Sequence, residues 1–177
     1  MKLYILRHGD AVGIGEPKYP NDADRPLTPK GIQRTKLLAH TLRGMEISFD
    51  HIFSSPLTRA RQTAEIVERG LLFHGRLELI THLSPTGDVE KLLAQLAAIR
   101  PVPENVLLVG HEPYLSQLIS LLCIGGAGLP LTLKKGGLCR LEVETLRAAK
   151  CAVLEWLLTP RVIESKRPKR KQMHVIK

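Results

Sequence analysis

Short apolar runs alternate with amphipathic helical patterns along most of the chain. Three runs, at residues 2–6, 51–53 and 105–109, are typical of buried strands. Each is followed by a polar loop and then by a helix start signal. This repeated unit predicts an α/β fold, a three-layer sandwich whose largely parallel central sheet carries helices on both faces.

Capping residues mark where the helices begin. Thr28 is an N-cap candidate with Pro29 at the first helical position, and Gly44 is a natural stop. Pro56 and Pro113 occupy first-turn positions after the second and third strands. The sequence thus predicts a helix after each of the three strands.

The pattern changes toward the C-terminus. Residues 138–145 and 149–157 predict two antiparallel strands that turn at residues 146–148. Between the second and third units, residues 76–80 favour a strand and residues 88–99 an amphipathic helix. We expect one folded domain over residues 1–160.

Charge is concentrated at the end of the chain. The 177 residues carry a formal net charge of +9, and residues 161–177 hold seven Lys and Arg residues against Glu164 alone. We expect this segment to be a flexible basic tail that mainly aids solubility, and we do not expect a nucleic-acid partner. The alternative is a weak, strongly salt-dependent role of the tail in binding nucleic acid or an acidic partner.

Composition excludes several classes of protein. With 44% hydrophobic and 24% charged residues the chain has a globular composition, and no apolar stretch reaches the roughly 18 residues of a membrane span. Cys123, Cys139 and Cys151 lack metal-ligand spacing and predict buried thiols in a reducing compartment. We expect a cytoplasmic protein without a metal or cofactor and without membrane partners.

Four side chains with phosphate chemistry fall at corresponding places in the repeated unit. Arg7, His8 and His111 come directly after a strand, and Arg59 lies in the first turn of a helix. In open α/β sheets the binding crevice lies beyond the carboxyl ends of the strands, so these side chains can converge. Helical spacing alone does not decide between Arg59 and Arg61.

Two arginines and two histidines near helix N-termini favour an anion, above all phosphate. A neutral imidazole can attack phosphorus and carry the phosphoryl group as phosphohistidine until water releases it. One histidine would then be the nucleophile and the other a donor to the phosphoryl oxygens. Arg25 could also touch the substrate. Ser54 and Ser55 predict a loop and a helix cap, because no nucleophile-elbow pattern surrounds Ser55.

Several separate motifs resemble the histidine phosphatase superfamily, and most closely its SixA-type phosphohistidine phosphatases. They are Leu6-Arg7-His8-Gly9, residues 54–64 (SSPLTRARQTA), Val109-Gly110-His111 and residues 24–28 (DRPLT). The resemblance spans roughly residues 1–160 and implies a phosphoglycerate-mutase-like fold.

The resemblance also implies roles for the site residues. His8 is the nucleophile, Arg7 and Arg59 are catalytic phosphate ligands, and His111 is the second pocket histidine. We expect Gly9 to contribute to substrate binding, since a glycine lets backbone approach phosphate closely.

The predicted site lacks an evident proton donor. Only about 40 residues separate the second and third units, too few for the large acid-bearing insertion of the phosphoglycerate mutases. Asp88 is the first candidate for a general acid, followed by Glu112 and Asp10. A weak acid suits phosphohistidine, because imidazole leaves more readily than an alkoxide.

We therefore hypothesise a metal-independent phosphatase that works through phospho-His8 on phosphohistidine in a signalling or phosphotransfer protein. One alternative is a phosphomonoesterase of the same superfamily that acts on a small phosphorylated molecule. Another is a non-catalytic phosphate- or phosphoprotein-binding module that uses the basic tail. A mutase is less attractive, because the short middle segment offers little to hold a second phosphate.

Overall fold

A six-stranded sheet lies at the centre of the molecule. The computed structural model describes residues 1–73, 75 and 77–165. The strands are β1 (Lys2–Arg7), β2 (His51–Ser54), β3 (Leu77–Leu79), β4 (Asn105–Gly110), β5 (Leu138–Val143) and β6 (Ala152–Leu158). In the order β3-β2-β4-β1-β5-β6, the first four strands are parallel, and β5 and β6 are antiparallel to their neighbours.

Helices cover both faces of this sheet. They are α1 (Pro29–Gly44), α2 (Thr58–Leu71), α3 (Val89–Ala97), α4 (Tyr114–Ile124) and α5 (Pro160–Ser165). Side chains alternate along β1, so Leu3 and Ile5 pack with α3 and α4. Tyr4 and Leu6 pack with α1, α2 and α5 on the other face. The predicted three-layer α/β architecture is confirmed.

The start of α1 follows its sequence signal. The Thr28 hydroxyl accepts a hydrogen bond from the Gly31 N–H at 3.0 Å, and Pro29 is the first helical residue. Pro56 was predicted in the first turn of α2, but that helix begins two residues later at Thr58. Pro113 is the N-cap of α4 rather than its first helical residue.

The C-terminal part differs from the prediction in two respects. Strand β5 ends at Val143 and β6 begins at Ala152. Their connection therefore spans residues 144–151 and is longer than the predicted tight turn. The folded part also continues past residue 160. Helix α5 buries Ile163, and Glu164 forms an ion pair with Arg34 at 2.6 Å, so the predicted boundary at 160 is too early. The rest of the predicted tail lies outside the described residues.

Two further expectations concern cysteines and membranes. All three cysteines are free thiols, but only Cys139 is buried; Cys123 and Cys151 are half-buried, contrary to the prediction. None of the helices in the described ranges combines the length and apolarity that crossing a bilayer requires.

The N-terminus of α1 packs directly behind the end of β1. A Cβ added at Gly31 would lie 2.0 Å from the Asp10 carbonyl oxygen, and this contact is with backbone. Helix α1 can therefore approach the loop that follows His8 only because residue 31 has no side chain.

We predict that Gly31→Ala lowers the free energy of unfolding by about 1–3 kcal/mol, because the added methyl pushes α1 away from this loop. Gly44→Ala is the matched control at the other end of the helix, where a Cβ meets nothing within 4 Å. Urea unfolding curves of both variants measure the difference. Equal midpoints for Gly31→Ala and wild type would contradict the packing described.

Candidate active site

The carboxyl ends of three adjacent strands bring the predicted residues together. Arg7 at the end of β1 is in register with Gly110 at the end of β4, and the His8 N–H donates to the Gly110 carbonyl at 3.0 Å. Strand β2 lies on the other side of β4, where the Ser55 N–H donates to the Val109 carbonyl at 2.9 Å. The loops after β1, β4 and β2 therefore lie side by side.

A surface cavity of about 510 Å³ opens at this edge of the sheet. Arg7, His8, Arg59 and His111 all line it, so the convergence predicted from the sequence is present in the structure. Other lining residues include Asp22, Arg25, Glu112 and Lys135. The exposed Ile14 stands at its rim.

The His8 ring is oriented for nucleophilic attack. Its Nδ1 lies 2.7 Å from the Gly9 carbonyl oxygen, and since that oxygen can only accept, Nδ1 carries the proton. The lone pair is therefore on Nε2. Burial lowers the pKa of His8 to about 4, helped by the nearby charges of Arg59 and Arg7. The ring is neutral at neutral pH.

The His111 ring lies beside His8, with the two ring centroids 5.0 Å apart. Its Nε2 lies 2.8 Å from the Ser55 hydroxyl oxygen, and the side chain is only 2% exposed. Burial lowers the pKa of His111 to about 3, with further contributions from His8 and Arg59. Two neutral imidazoles therefore share the floor of the cavity.

Hydrogen bonds within the protein hold the two guanidinium groups in place. Arg59 is buried although it lies in the first turn of α2; it donates to the Asp22 carbonyl at 2.7 Å and to the Asp22 carboxylate at 2.9 Å. Arg7 donates to the Leu133 carbonyl at 2.7 Å. Burial lowers the pKa of both arginines, because their charge is poorly solvated.

Several nitrogen atoms of this cluster lack a partner. Five buried side-chain N and O atoms in the described part of the chain make no hydrogen bond, and three of them are Arg7 Nε, Arg59 Nε and His111 Nδ1. Buried polar groups are normally paired, because an unmade hydrogen bond costs free energy. Unpaired nitrogens on three residues that line one cavity indicate a site for an anionic ligand.

Asp22 is a site residue that the sequence reasoning did not assign, whereas Arg25, its neighbour in the cavity lining, was named there as a residue that could touch the substrate. The Asp22 carboxylate accepts from Arg59 and, on its other side, from Arg25 Nε at 2.9 Å. Burial alone would raise the pKa of Asp22, but the bonds to Arg25 and Arg59 lower it overall. The resemblance in residues 24–28 was the one available signal for this loop, and it did not extend to Asp22.

The sequence predicts that the Gly9 backbone contacts the substrate, but in the structure its N–H and carbonyl bond within the protein. Its N–H donates to the Thr63 hydroxyl at 3.0 Å, and its carbonyl accepts from His8. A Cβ at this position would lie 2.9 Å from the Thr35 hydroxyl oxygen. Gly9 instead links the His8 ring to Thr63 of α2. Because the Thr63 hydroxyl also donates to the Arg59 carbonyl, Thr63 connects the loop of His8 with Arg59.

Asp88 was the first candidate for the general acid, and the structure assigns it another role. Its carboxylate caps α3 by accepting from the Lys91 N–H at 3.0 Å, and it does not line the cavity. That backbone hydrogen bond lowers the pKa of Asp88. An ionised helix cap outside the cavity cannot protonate a leaving group within it.

The other two candidates for the general acid, Glu112 and Asp10, also bond to groups of the protein. Glu112 lines the cavity, but its carboxylate accepts from the Leu133 N–H at 2.7 Å and from the Ser116 hydroxyl. Asp10 forms an ion pair with Lys135 at 3.0 Å; burial would raise its pKa, but Lys135 and Thr28 lower it overall. Within the described ranges, no group of three or more His, Cys, Asp or Glu side chains is arranged to hold a metal ion.

Comparison with known proteins agrees with this geometry. The family model of the histidine phosphatase superfamily (branch 1) matches residues 3–82. An uncharacterized protein of Picosynechococcus sp. is 40% identical over 143 residues, which are 80% of this chain and 85% of the relative. Phosphohistidine phosphatase SixA of Escherichia coli strain K12 is 34% identical over 126 residues, which cover 71% of this chain and 76% of SixA.

A solved structure of the protein histidine phosphatase SixA complexed with tungstate has the same fold. It superposes with a TM-score of 0.79 at 28% identity, over 91% of this chain and 98% of that one. The motifs, the shared fold and the identity to SixA over most of both chains agree. The chain therefore belongs to the histidine phosphatase superfamily and is of the SixA type.

Proposed function

We propose that this protein is a phosphatase that removes the phosphoryl group from phosphohistidine on a signalling or phosphotransfer protein. The observation that carries the proposal is the set of unpaired nitrogens on side chains that line the cavity. His8 Nε2 offers a lone pair, and Arg7, Arg59 and His111 each hold a buried nitrogen without a partner. A phosphoryl group supplies both the electrophile and the oxygens that these groups need.

The reaction proceeds in two displacements at phosphorus. His8 Nε2 attacks, the bond between phosphorus and the substrate imidazole breaks, and that imidazole takes a proton from solvent. The His8 ring gains positive charge as its bond to phosphorus forms, and the Gly9 carbonyl stabilises this charge through Nδ1–H. Water then attacks phosphorus, the P–Nε2 bond breaks, and inorganic phosphate and neutral His8 are released.

The guanidinium groups stabilise the charge of the transferring phosphoryl oxygens. A fixed donor aimed at a developing charge in a poorly solvated site is worth several kcal/mol. Arg7 and Arg59 are anchored by the backbone carbonyls of Leu133 and Asp22, so little reorganisation is needed. The SixA relative is solved in complex with tungstate, an oxyanion, which supports binding of a phosphoryl group by a protein of this fold. The mechanism calls for no metal, because these two cations provide the positive charge.

The state of the carboxylates favours an N–P substrate. Asp22 lines the cavity, but its guanidinium partners hold its pKa low, and Glu112 is bound to Leu133. An alkoxide leaving group needs a general acid, whereas imidazole is a better leaving group. The absence of a large insertion between β2 and β4 leaves room for a substrate that is part of a protein.

We predict that the protein hydrolyses phosphoramidate much faster than an alkyl phosphate, and that His8→Ala abolishes both activities. Rapid quenching with labelled substrate should trap an acid-labile, base-stable phosphoenzyme in the wild type and none in His8→Ala. His40→Ala, an exposed histidine on α1, is the control and should retain the label. EDTA should leave the rate unchanged.

Three outcomes would each contradict a part of this proposal. Equal turnover of alkyl and N–P phosphates would favour the small-molecule phosphomonoesterase. Phosphate binding without turnover would favour the binding module. Label retained on His8→Ala would refute the assigned nucleophile.

The low pKa values of the two histidines predict a pH dependence. The folded His8 ring should stay neutral as the pH falls through 6.5 and take up a proton only near pH 4. The unfolded chain binds that proton at about pH 6.5, so the free energy of unfolding should be highest above pH 6.5 and fall toward pH 4. NMR titration of the ring resonances, with His8→Ala for assignment, tests this; titration near 6.5 would contradict it.

Asp22 competes with the substrate for Arg59, which leads to another prediction. Asp22→Asn should strengthen competitive inhibition by tungstate or phosphate by about three- to tenfold, because it removes a negative charge beside the incoming oxyanion. Asp24→Asn removes a charge from the same turn, where the carboxylate bonds to Asn21, and should change inhibition little. Weaker inhibition in Asp22→Asn would show that the carboxylate mainly holds Arg59 in place.

A further inference from the structure

The hydroxyl group of Ser55 contacts the second pocket histidine from outside the cavity. Ser55 lies directly after β2 and is fully buried, and its Oγ is 2.8 Å from His111 Nε2. Ser55 does not line the cavity. It therefore has no place in the mechanism described above as a group that touches the substrate.

The hydrogen-bond partners of Ser55 determine the direction of this contact. Its Oγ already accepts a hydrogen bond from the Leu57 N–H at 3.3 Å. If His111 also donated from Nε2, the oxygen would accept twice and the hydroxyl proton would need another acceptor. The described hydrogen bonds include none for it, so that arrangement leaves both the hydroxyl proton and the Nδ1 lone pair unpaired, whereas a hydroxyl that donates to Nε2 leaves only the Nδ1 N–H unpaired. The hydroxyl group therefore donates to Nε2.

The position of the His111 proton follows from this direction. A neutral imidazole has one N–H, so a ring that accepts at Nε2 carries its proton on Nδ1. Nδ1 is the buried nitrogen of His111 that has no partner. The ring stands 5.0 Å from that of His8, beside the position where phosphorus is attacked.

We propose that Ser55 is a positioning residue that holds the His111 proton on Nδ1, so that His111 acts as a hydrogen-bond donor to the phosphoryl group. In the other tautomer, a lone pair on Nδ1 would face the phosphoryl oxygens and repel them. The two histidines then present opposite groups to the cavity: His8 presents a lone pair and His111 an N–H. The kinetic part of this inference rests on the proposed function, whereas the location of the proton does not.

The backbone around Ser55 holds its hydroxyl group in place. The Ser55 N–H donates to the Val109 carbonyl, which is two residues before His111 on the neighbouring strand. Pairing of β2 with β4 thus fixes the serine and the histidine relative to each other.

Nitrogen-15 NMR of the histidine rings in the wild-type protein tests the tautomer without any substrate. We expect His111 to show a protonated Nδ1 and an unprotonated Nε2, with assignment by His111→Ala. In Ser55→Ala the proton should redistribute toward Nε2. A proton on Nε2 in the wild type would overturn the proposal, and this measurement does not depend on the folding of any serine variant.

Kinetics and tungstate binding test the consequence. Ser55→Ala should weaken tungstate binding and lower kcat/KM for phosphoramidate by roughly 10- to 100-fold, less than the loss of the donor in His111→Ala. Ser54→Ala is the matched control: this serine is equally buried and precedes Ser55, and in the described contacts its hydroxyl group bonds only to the Ser55 carbonyl. Because the Ser54 hydroxyl makes no bond to His111, Ser54→Ala should leave both quantities within about twofold of wild type.

A double-mutant cycle separates positioning from general damage to the fold. If Ser55 acts through His111, Ser55→Ala should cost almost nothing in the His111→Ala background. Additive losses would overturn the proposal, as would an unchanged tautomer in Ser55→Ala. If neither His111→Ala nor Ser55→Ala impairs turnover while the tautomer and tungstate results hold, the proposed phosphatase mechanism fails and the assignment of the proton stands.

Discussion

Buried positive charge with unfilled hydrogen bonds is the constraint on which the rest of this structure depends. Arg59 is buried and Arg7 is half-buried, and Arg7 Nε, Arg59 Nε and His111 Nδ1 lack a partner. Each such group costs a fold on the order of 1–3 kcal/mol. A bound phosphoryl group would relieve these costs at once, so the same arrangement that weakens the free protein favours the ligand.

The sheet makes this arrangement possible because it fixes three loops independently of their distance along the chain. Strands β1, β4 and β2 are neighbours, and their carboxyl ends place His8, His111 and Ser55 at one edge. Hydrogen bonds then orient each group: to the Gly9 carbonyl for His8, to the Ser55 hydroxyl for His111 and to the Asp22 backbone carbonyl for Arg59. The chemistry of the site is thus set largely by residues that do not react.

The sequence predicted the parts of the fold and site that follow from local signals. Apolar runs located the strands that carry the site, and Thr28 with Pro29 located the start of α1, because strand burial and helix capping depend on neighbours in sequence. Arg59 was separable from Arg61 only through the family pattern, since helical spacing places both near the first turn.

Other features depend on contacts between distant segments, and these were missed or misassigned. Asp88 has a carboxyl group that could act as an acid, but it lies outside the cavity. The Gly9 backbone holds the His8 ring rather than the substrate. The bond between Ser55 and His111 joins residues 56 positions apart, so no local pattern could reveal it. Asp22 was unassigned for the same reason, because its partner Arg59 is 37 positions away.

A crystal structure of the protein with tungstate tests the central claim most directly. The oxyanion should lie in line with His8 Nε2, with its oxygens on Arg7, Arg59 and His111 Nδ1. Tungstate bound elsewhere, or bound here without contact to either guanidinium group, would contradict the account.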